Sequence, residues 1–149
     1  MKSIGSNFVD YVPKNHLKID YVQNDSPQYY YTELGRNEDG FIIANFLRGS
    51  GKVTARIVNK DLKEPESGAK WRGKYRLPSE NETNDYKMDS FTKKLKFDTY
   101  SYNCDKGCYL IISVYSDVKS ERIKLQKGIN LPYSLIVQSF PKTINYLKI

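Results

Sequence analysis

Apolar and polar residues alternate over short stretches of this chain, the pattern of β-strands with one buried face. Lys52–Val58 alternates strictly, whereas Phe41–Leu47 is almost continuously apolar and predicts a central buried strand. No stretch has the longer period of an amphipathic helix. The other predicted strands are a short first one carrying Leu17, Ile19 and Tyr21, then Gln28–Leu34, Tyr86–Met88, a short basic Glu121–Leu125, Leu131–Phe140, and Ile144–Ile149 as an edge strand or tail.

The stretch Leu95–Val118 predicts a central hairpin, because two β-rich runs flank Asp105–Gly107. This triplet has the chemistry of a three-residue hairpin loop, in which glycine takes the left-handed position. Phe41–Val58, with its turn at Arg48–Gly51, predicts a second hairpin.

Cys104 and Cys108 would close the first hairpin as a disulfide. Cross-strand Cα separations of roughly 4.5–5.5 Å overlap the ~4.4–6.8 Å that a disulfide requires. The register is less regular, since it sets Asp98 opposite Val114. A one-residue bulge between Asp98 and Tyr100 would exchange the two faces of the first strand and turn its apolar residues towards the core.

These patterns predict an all-β fold, an antiparallel β-sandwich or jelly roll of about seven or eight strands. We expect residues 1–15 to form an N-terminal arm or leading edge, residues 16–140 the sandwich domain, and residues 141–149 an edge strand or tail. The predicted core consists of Phe41, Ile43, Leu110, Ile112, Val114, Leu135 and Val137.

The chain has 149 residues, enough for one domain with a substantial core. Its 24 Lys and Arg against 17 Asp and Glu give a formal charge of +7, which favours anionic partners without naming one. Tyrosine occurs 13 times, and its preference for strands explains most of these positions.

Several features bear on the compartment. No apolar run is long enough for a membrane helix, and the first twelve residues are too polar for a signal peptide. The chain is therefore either cytosolic or a segment of a longer precursor. The Cys-x3-Cys spacing favours an oxidising compartment. We thus expect a secreted or cell-surface location, with the cytoplasm as the alternative. Asn24 and Asn81 are candidate glycosylation sites.

Catalytic motifs are absent from the sequence, which has no nucleophile elbow, phosphate-binding loop or zinc-protease motif. Arg48–Lys52 lacks the spacing of a phosphate loop. His16 is the single histidine and has no neighbouring pair of carboxylates. We expect no enzymatic activity, no cofactor and no metal site.

The strongest candidate for ligand binding is the segment around the single tryptophan. It interleaves aromatic and cationic side chains in a long irregular stretch, which suits a sulfated or acidic glycan, a peptide or a single-stranded nucleic acid through charge and stacking. The alternative is that the tryptophan plugs an edge of the sandwich while its neighbours stay solvated. The candidate residues are Trp71, Arg72, Lys74, Tyr75 and Arg76.

Gly107–Val114, followed by Pro132–Val137, resembles the ending of pre-peptidase C-terminal domains. That family closes with a glycine, an aromatic residue and an alternating strand, then Tyr-Ser/Thr-Leu-x-Val. The resemblance implies a jelly-roll accessory module of secreted or surface proteins, without catalytic residues. The family often shows an Asp-x-Asp-Leu pattern on the strand corresponding to Lys52–Val58. That strand has no carboxylate here, which puts a calcium site in doubt.

Two hypotheses follow. The leading one is a non-catalytic module of a larger extracellular or surface protein, which binds protein or acidic glycan or serves as a spacer. The competing one is an intracellular basic C2-like domain that binds anionic lipid or nucleic acid. Under the leading hypothesis we expect neither a nucleic-acid partner nor a transmembrane segment, and the oligomeric state is left open.

Overall fold

The computed structural model describes residues 9–23, 26–47, 51–60, 77–78, 86–87, 94–100, 102–116 and 130–141. These residues form nine strands and no helix, which confirms the predicted all-β class. The strands are β1 (Val9–Tyr11), β2 (Lys18–Gln23), β3 (Gln28–Leu34), β4 (Glu38–Phe46), β5 (Gly51–Asn59), β6 (Tyr86–Lys87), β7 (Lys94–Asp98), β8 (Cys108–Ser116) and β9 (Asn130–Pro141).

Most of the predicted strands coincide with observed ones. Gln28–Leu34 has the bounds of β3, and Lys52–Val58 lies within β5. Periodicity located β5 because Val53, Ala55 and Ile57 form a regular inward-facing apolar set. The predicted Glu121–Leu125 and Ile144–Ile149 lie outside the described residues.

The strands form two sheets packed face to face. The five-stranded sheet has the order β1-β3-β8-β5-β6, and the four-stranded sheet has the order β2-β9-β4-β7. All pairings are antiparallel except that of β1 with β3. Successive strands alternate between the sheets throughout, apart from β5 and β6, which pair directly. This is a sandwich built from connections that cross between its layers.

Both predicted hairpins are wrong for this reason. β7 pairs with β4 in one sheet, while β8 pairs with β3 and β5 in the other. Leu95–Val118 is therefore a crossover between sheets, and no bulge is needed to explain its register. Phe41–Val58 is likewise a crossover, because β4 and β5 belong to different sheets.

The segment between β7 and β8 is held to β4 by its first residue. Thr99 N donates to Glu38 O at 3.0 Å, and Glu38 N donates to Thr99 Oγ1 at 3.0 Å. The chain then turns at Asp105–Gly107, where Gly107 has a φ of +96° and its N–H donates to Cys104 O at 2.9 Å. The turn predicted at Asp105–Gly107 is thus present, but it lies at the end of the connection between the two sheets and does not join two paired strands.

The core lies between the sheets. Five of the seven predicted core residues are fully buried there, namely Leu110, Ile112, Val114, Leu135 and Val137. The prediction is wrong for Phe41 and Ile43, which are only partly buried on the outward side of β4. Ile42 and Ala44 take the inward positions, opposite Val137 and Leu135 of β9.

Two polar groups stabilise one end of the sandwich. The carboxylate of Glu38, buried on β4, accepts hydrogen bonds from Lys14 Nζ at 2.7 Å, from Gly35 N at 2.6 Å and from Ser139 Oγ. Asn15 has a φ of +65°, and its N–H donates to Val137 O at 2.7 Å. The segment after β1 is therefore fixed to the four-stranded sheet. Residues 9–11 form the edge strand of the other sheet, and the predicted domain limits stay predictions.

Candidate binding surface

The outward side of the four-stranded sheet is unusually apolar. We call it the open face. It comprises the outward residues of β2, β9, β4 and β7, with Leu17 just before β2 and Leu47 just after β4. Its described members are Leu17, Ile19, Tyr21, Gln23, Asp39, Phe41, Ile43, Asn45, Leu47, Lys94, Lys96, Asp98, Pro132, Ser134, Ile136, Gln138 and Phe140.

Strand register places these residues in rows across the sheet. Tyr21 lies opposite Pro132, and Leu47 N donates to Pro132 O at 2.9 Å, which continues that row. Ile136 lies opposite Ile43, which in turn lies opposite Lys94. Directly opposite side chains in an antiparallel pair are close enough to touch. The open face therefore presents two apolar rows, separated by a row in which Ile19 lies opposite Ser134 and Ser134 lies opposite Asn45.

Strand β2 has its apolar side outward, which is the reverse of an ordinary sandwich strand. Ile19 is 68% exposed and Tyr21 is 49% exposed, whereas Lys18, Asp20 and Val22 occupy the inward register positions. Only Val22 of these three is a buried apolar residue. A strand that turns its apolar residues to solvent loses burial free energy, and exceptions of this kind concentrate at functional sites.

The inward Asp20 is accommodated by a pair of buried tyrosines. Tyr30 Oη donates to Asp20 Oδ2 at 2.7 Å and lies 2.5 Å from Tyr133 Oη. Because Tyr30 gives its proton to Asp20, Tyr133 donates to Tyr30. Burial raises the pKa of Tyr30 far above its usual value, and Tyr133 and then Asp20 raise it further. Burial also raises the pKa of Tyr133, although its hydrogen bond with Tyr30 opposes this.

This cluster is structural. Both phenols stay protonated at neutral pH, so neither is available as a base. The cluster joins β2 and β9 of one sheet to β3 of the other. It thereby holds β2 in the register that turns Ile19 and Tyr21 outward.

Charges on the open face balance. Lys94 and Lys96 lie on β7, and Asp39 and Asp98 lie at the adjacent corner, so their formal charges sum to zero. Lys94 Nζ lies 5.1 Å from the centre of the Phe41 ring, and Tyr100 Oη donates to Asp39 Oδ2 at 3.4 Å. The chain as a whole carries +7. Among the described residues, the open face therefore contributes nothing to this excess of positive charge.

The outward side of the five-stranded sheet is different because it is covered. Val9, Tyr29, Tyr109 and Ile111 form a buried cluster there, against which Leu77 packs. Pro78 O accepts hydrogen bonds from Ser113 Oγ at 2.8 Å and from Tyr115 Oη at 2.9 Å. The two outer surfaces of the sandwich are therefore unequal, and the apolar one left exposed is the open face.

All five ligand-binding residues predicted from the sequence, and both candidate glycosylation sites, lie outside the described residues. They are Trp71, Arg72, Lys74, Tyr75 and Arg76, with Asn24 and Asn81. His16 is exposed, with Nδ1 3.0 Å from Lys14 O. In the described ranges no three acidic, histidine or cysteine side chains are grouped as metal ligands. Sequence reasoning missed the open face, although the almost continuous apolar run of β4 was a signal that both its sides are used.

Cys104 and Cys108 lie at disulfide distance, with their Cα atoms 5.2 Å apart, and both side chains are buried. The bond spans the turn at which the crossover from β7 enters β8 and not the two strands of a hairpin. Its geometry agrees with the predicted pair.

We expect the non-reduced protein to contain no alkylatable thiol by mass spectrometry. The variant Cys104→Ala/Cys108→Ala should lose about 2 kcal/mol of unfolding free energy, because a sequence separation of 4 restricts the unfolded chain only slightly. Denaturation in urea measures this loss. Two modified cysteines in the native protein would contradict the disulfide.

No helix of the described residues has the length and hydropathy to cross a membrane. No protein-family model matches the chain, and no curated protein matches it. Among solved structures, the chain is similar to the pre-peptidase C-terminal domain of a collagenase from Bacillus anthracis. The likeness covers 87% of this chain and 94% of that one, at 10% sequence identity and a TM-score of 0.43. It is a distant resemblance of fold, without support from a sequence family.

Proposed function

We propose that this chain is a non-catalytic β-sandwich module of a larger extracellular or surface protein, and that it binds its partner through the open face. The observation that carries the proposal is the reversed polarity of β2. Ile19 and Tyr21 face solvent while Asp20 is turned inward and bonded to Tyr30. An arrangement that gives up apolar burial is explained when a partner covers the exposed side.

Chemistry on the open face favours a protein partner over an anionic one. Exposed aliphatic side chains such as Leu17, Ile19 and Leu47 suit an apolar contact with a protein. The four charges among its described residues sum to zero, so these residues give the surface no net attraction for acidic glycan, anionic lipid or nucleic acid. The cysteine pair supports an oxidising, extracellular location.

The test uses two matched tyrosines on edge strands. Tyr21 of β2 is 49% exposed on the open face, and Tyr11 of β1 is 54% exposed on the other sheet. Arrays of peptides, glycans and immobilised copies of the chain are probed with wild type, Tyr21→Lys and Tyr11→Lys. Both variants carry the same added charge, so a difference between them reports position alone.

We expect at least one array component to bind wild type and Tyr11→Lys but not Tyr21→Lys, because a lysine there places an unpaired charge in an apolar contact. The proposal fails if no component distinguishes the two variants. The variant Arg72→Ala/Arg76→Ala is included as a separate arm. Loss of binding in that arm alone would assign the function to the predicted Trp71–Arg76 loop instead of the open face.

A further inference from the structure

We infer that the partner of the open face is a second copy of this chain, so that two sandwiches pack face to face through their four-stranded sheets. This inference rests on the proposed function, since it names the partner of the same surface. Three properties of the face support it: its charge, its area and its shape.

The charges described on the open face do not oppose self-association. A protein of formal charge +7 repels its own copies wherever the excess charge is displayed. The open face carries Lys94 and Lys96 together with Asp39 and Asp98, so two such faces approach without net repulsion.

The area is sufficient for a stable contact. The strand β4 has nine residues, all paired with β9, while β2 has six and β7 has five. With strands ~4.8 Å apart and a rise of ~3.3 Å per residue, the sheet covers roughly 450 Å² in projection. That is the same order as the ~800 Å² per partner found in stable protein interfaces.

The shape suits another sheet better than a narrow ligand. The outward side chains of β2, β9 and β4 include the branched aliphatics Ile19, Ile43 and Ile136, with Ser134 and Asn45 in the row between Ile43 and the end of the sheet at Leu47. Sheets pack on sheets through rows of such side chains at a spacing of about 10 Å. A second open face supplies the matching rows, and its own exposed apolar residues become buried by the same contact.

Sedimentation equilibrium of the full chain, over a wide range of concentrations, tests the inference. Wild type is expected to reach twice the 17.3 kDa chain mass. Tyr21→Lys and Leu47→Lys should weaken self-association by about a hundredfold or more, because each dimer would contain two uncompensated charges. Tyr11→Lys, with its equal added charge on the other sheet, should associate like wild type.

Because Tyr21 and Leu47 are exposed, a lysine at either position should leave the fold intact. Thermal unfolding of each variant checks that it is folded. A wild type that stays monomeric at all concentrations overturns the inference. A dimer that resists both open-face substitutions also overturns it, because the contact then lies elsewhere. If the array described above shows a peptide or glycan that depends on Tyr21 while the chain stays monomeric, this inference fails and the proposed function stands.

Discussion

Replacing Ile42 with alanine is expected to lower the free energy of unfolding by about 2–5 kcal/mol, through lost burial and the cavity left behind. Ile42 is fully buried and lies opposite Val137 at the centre of the sandwich. Its neighbour Ile43, on the same strand, faces outward and is only partly buried. The same substitution at Ile43 should cost about 1 kcal/mol, the ordinary cost of a point mutation.

Denaturation in urea measures both values. The measurement belongs at low protein concentration, where self-association through the open face adds nothing to stability. Since the two variants remove the same atoms from adjacent positions, their difference reports the side of β4 that faces the core. Equal losses, or a larger loss at Ile43, would show that the phase assigned to β4 is wrong.

Alkaline pH is expected to reduce stability through the buried tyrosine pair. The pKa of each of Tyr30 and Tyr133 is raised in the folded protein above the ordinary 10.0. Above pH 10 the unfolded chain therefore releases protons that the folded chain keeps, and the free energy of unfolding falls as pH rises. Below pH 10 both states hold the protons and the contribution is constant.

The expected size follows from the linkage of protonation to folding. Each tyrosine costs about 1.4 kcal/mol per pH unit above its unfolded pKa, so the pair should remove about 4 kcal/mol between pH 8 and 11.5. The variant Tyr30→Phe/Tyr133→Phe starts less stable at neutral pH, because Asp20 loses its buried donor. Its stability should then fall less steeply with pH, so that the gap to wild type narrows by about 4 kcal/mol.

Urea denaturation at a series of pH values gives both slopes. Tyr21→Phe, at an exposed site, controls for the loss of a phenol as such. Parallel pH dependences for wild type and the double phenylalanine variant would mean that the buried pair ionises as readily as tyrosine in the unfolded chain.

Local pattern was enough to predict strands but not the sheets to which they belong. Each strand carries its own alternation, whereas the choice of sheet depends on partners far along the chain, such as Leu135 for Lys18. The predicted pairing of β7 with β8 already contained a sign that it was wrong. Pairing β7 with β8 as a hairpin set Asp98 opposite Val114 and sent Leu95 to the wrong face. In the structure Leu95 and Val114 both point into the core, from opposite sheets.

The sequence pattern did not predict which side of β4 and of β2 points into the core, for a different reason in each strand. In β4, Phe41–Ile43 is apolar throughout, and only Asn45, exposed on the outward side, indicates the phase. In β2 the alternation itself is misleading, because its apolar residues point to solvent and Asp20 is satisfied by a tyrosine from another strand. That compensation depends on tertiary contact and leaves no mark in the local sequence.

The alternation of strands between the two sheets also affects how the chain folds during and after synthesis. Among the described strands, β2 pairs in its sheet with β9 alone, so the first of the nine strands to join the four-stranded sheet must wait until the ninth is synthesised. With few short-range pairings to begin from, the polypeptide has a high contact order and should fold slowly. A nascent or truncated chain that ends before β9 leaves the edges of β2 and β4 unpaired, and such edges invite aggregation.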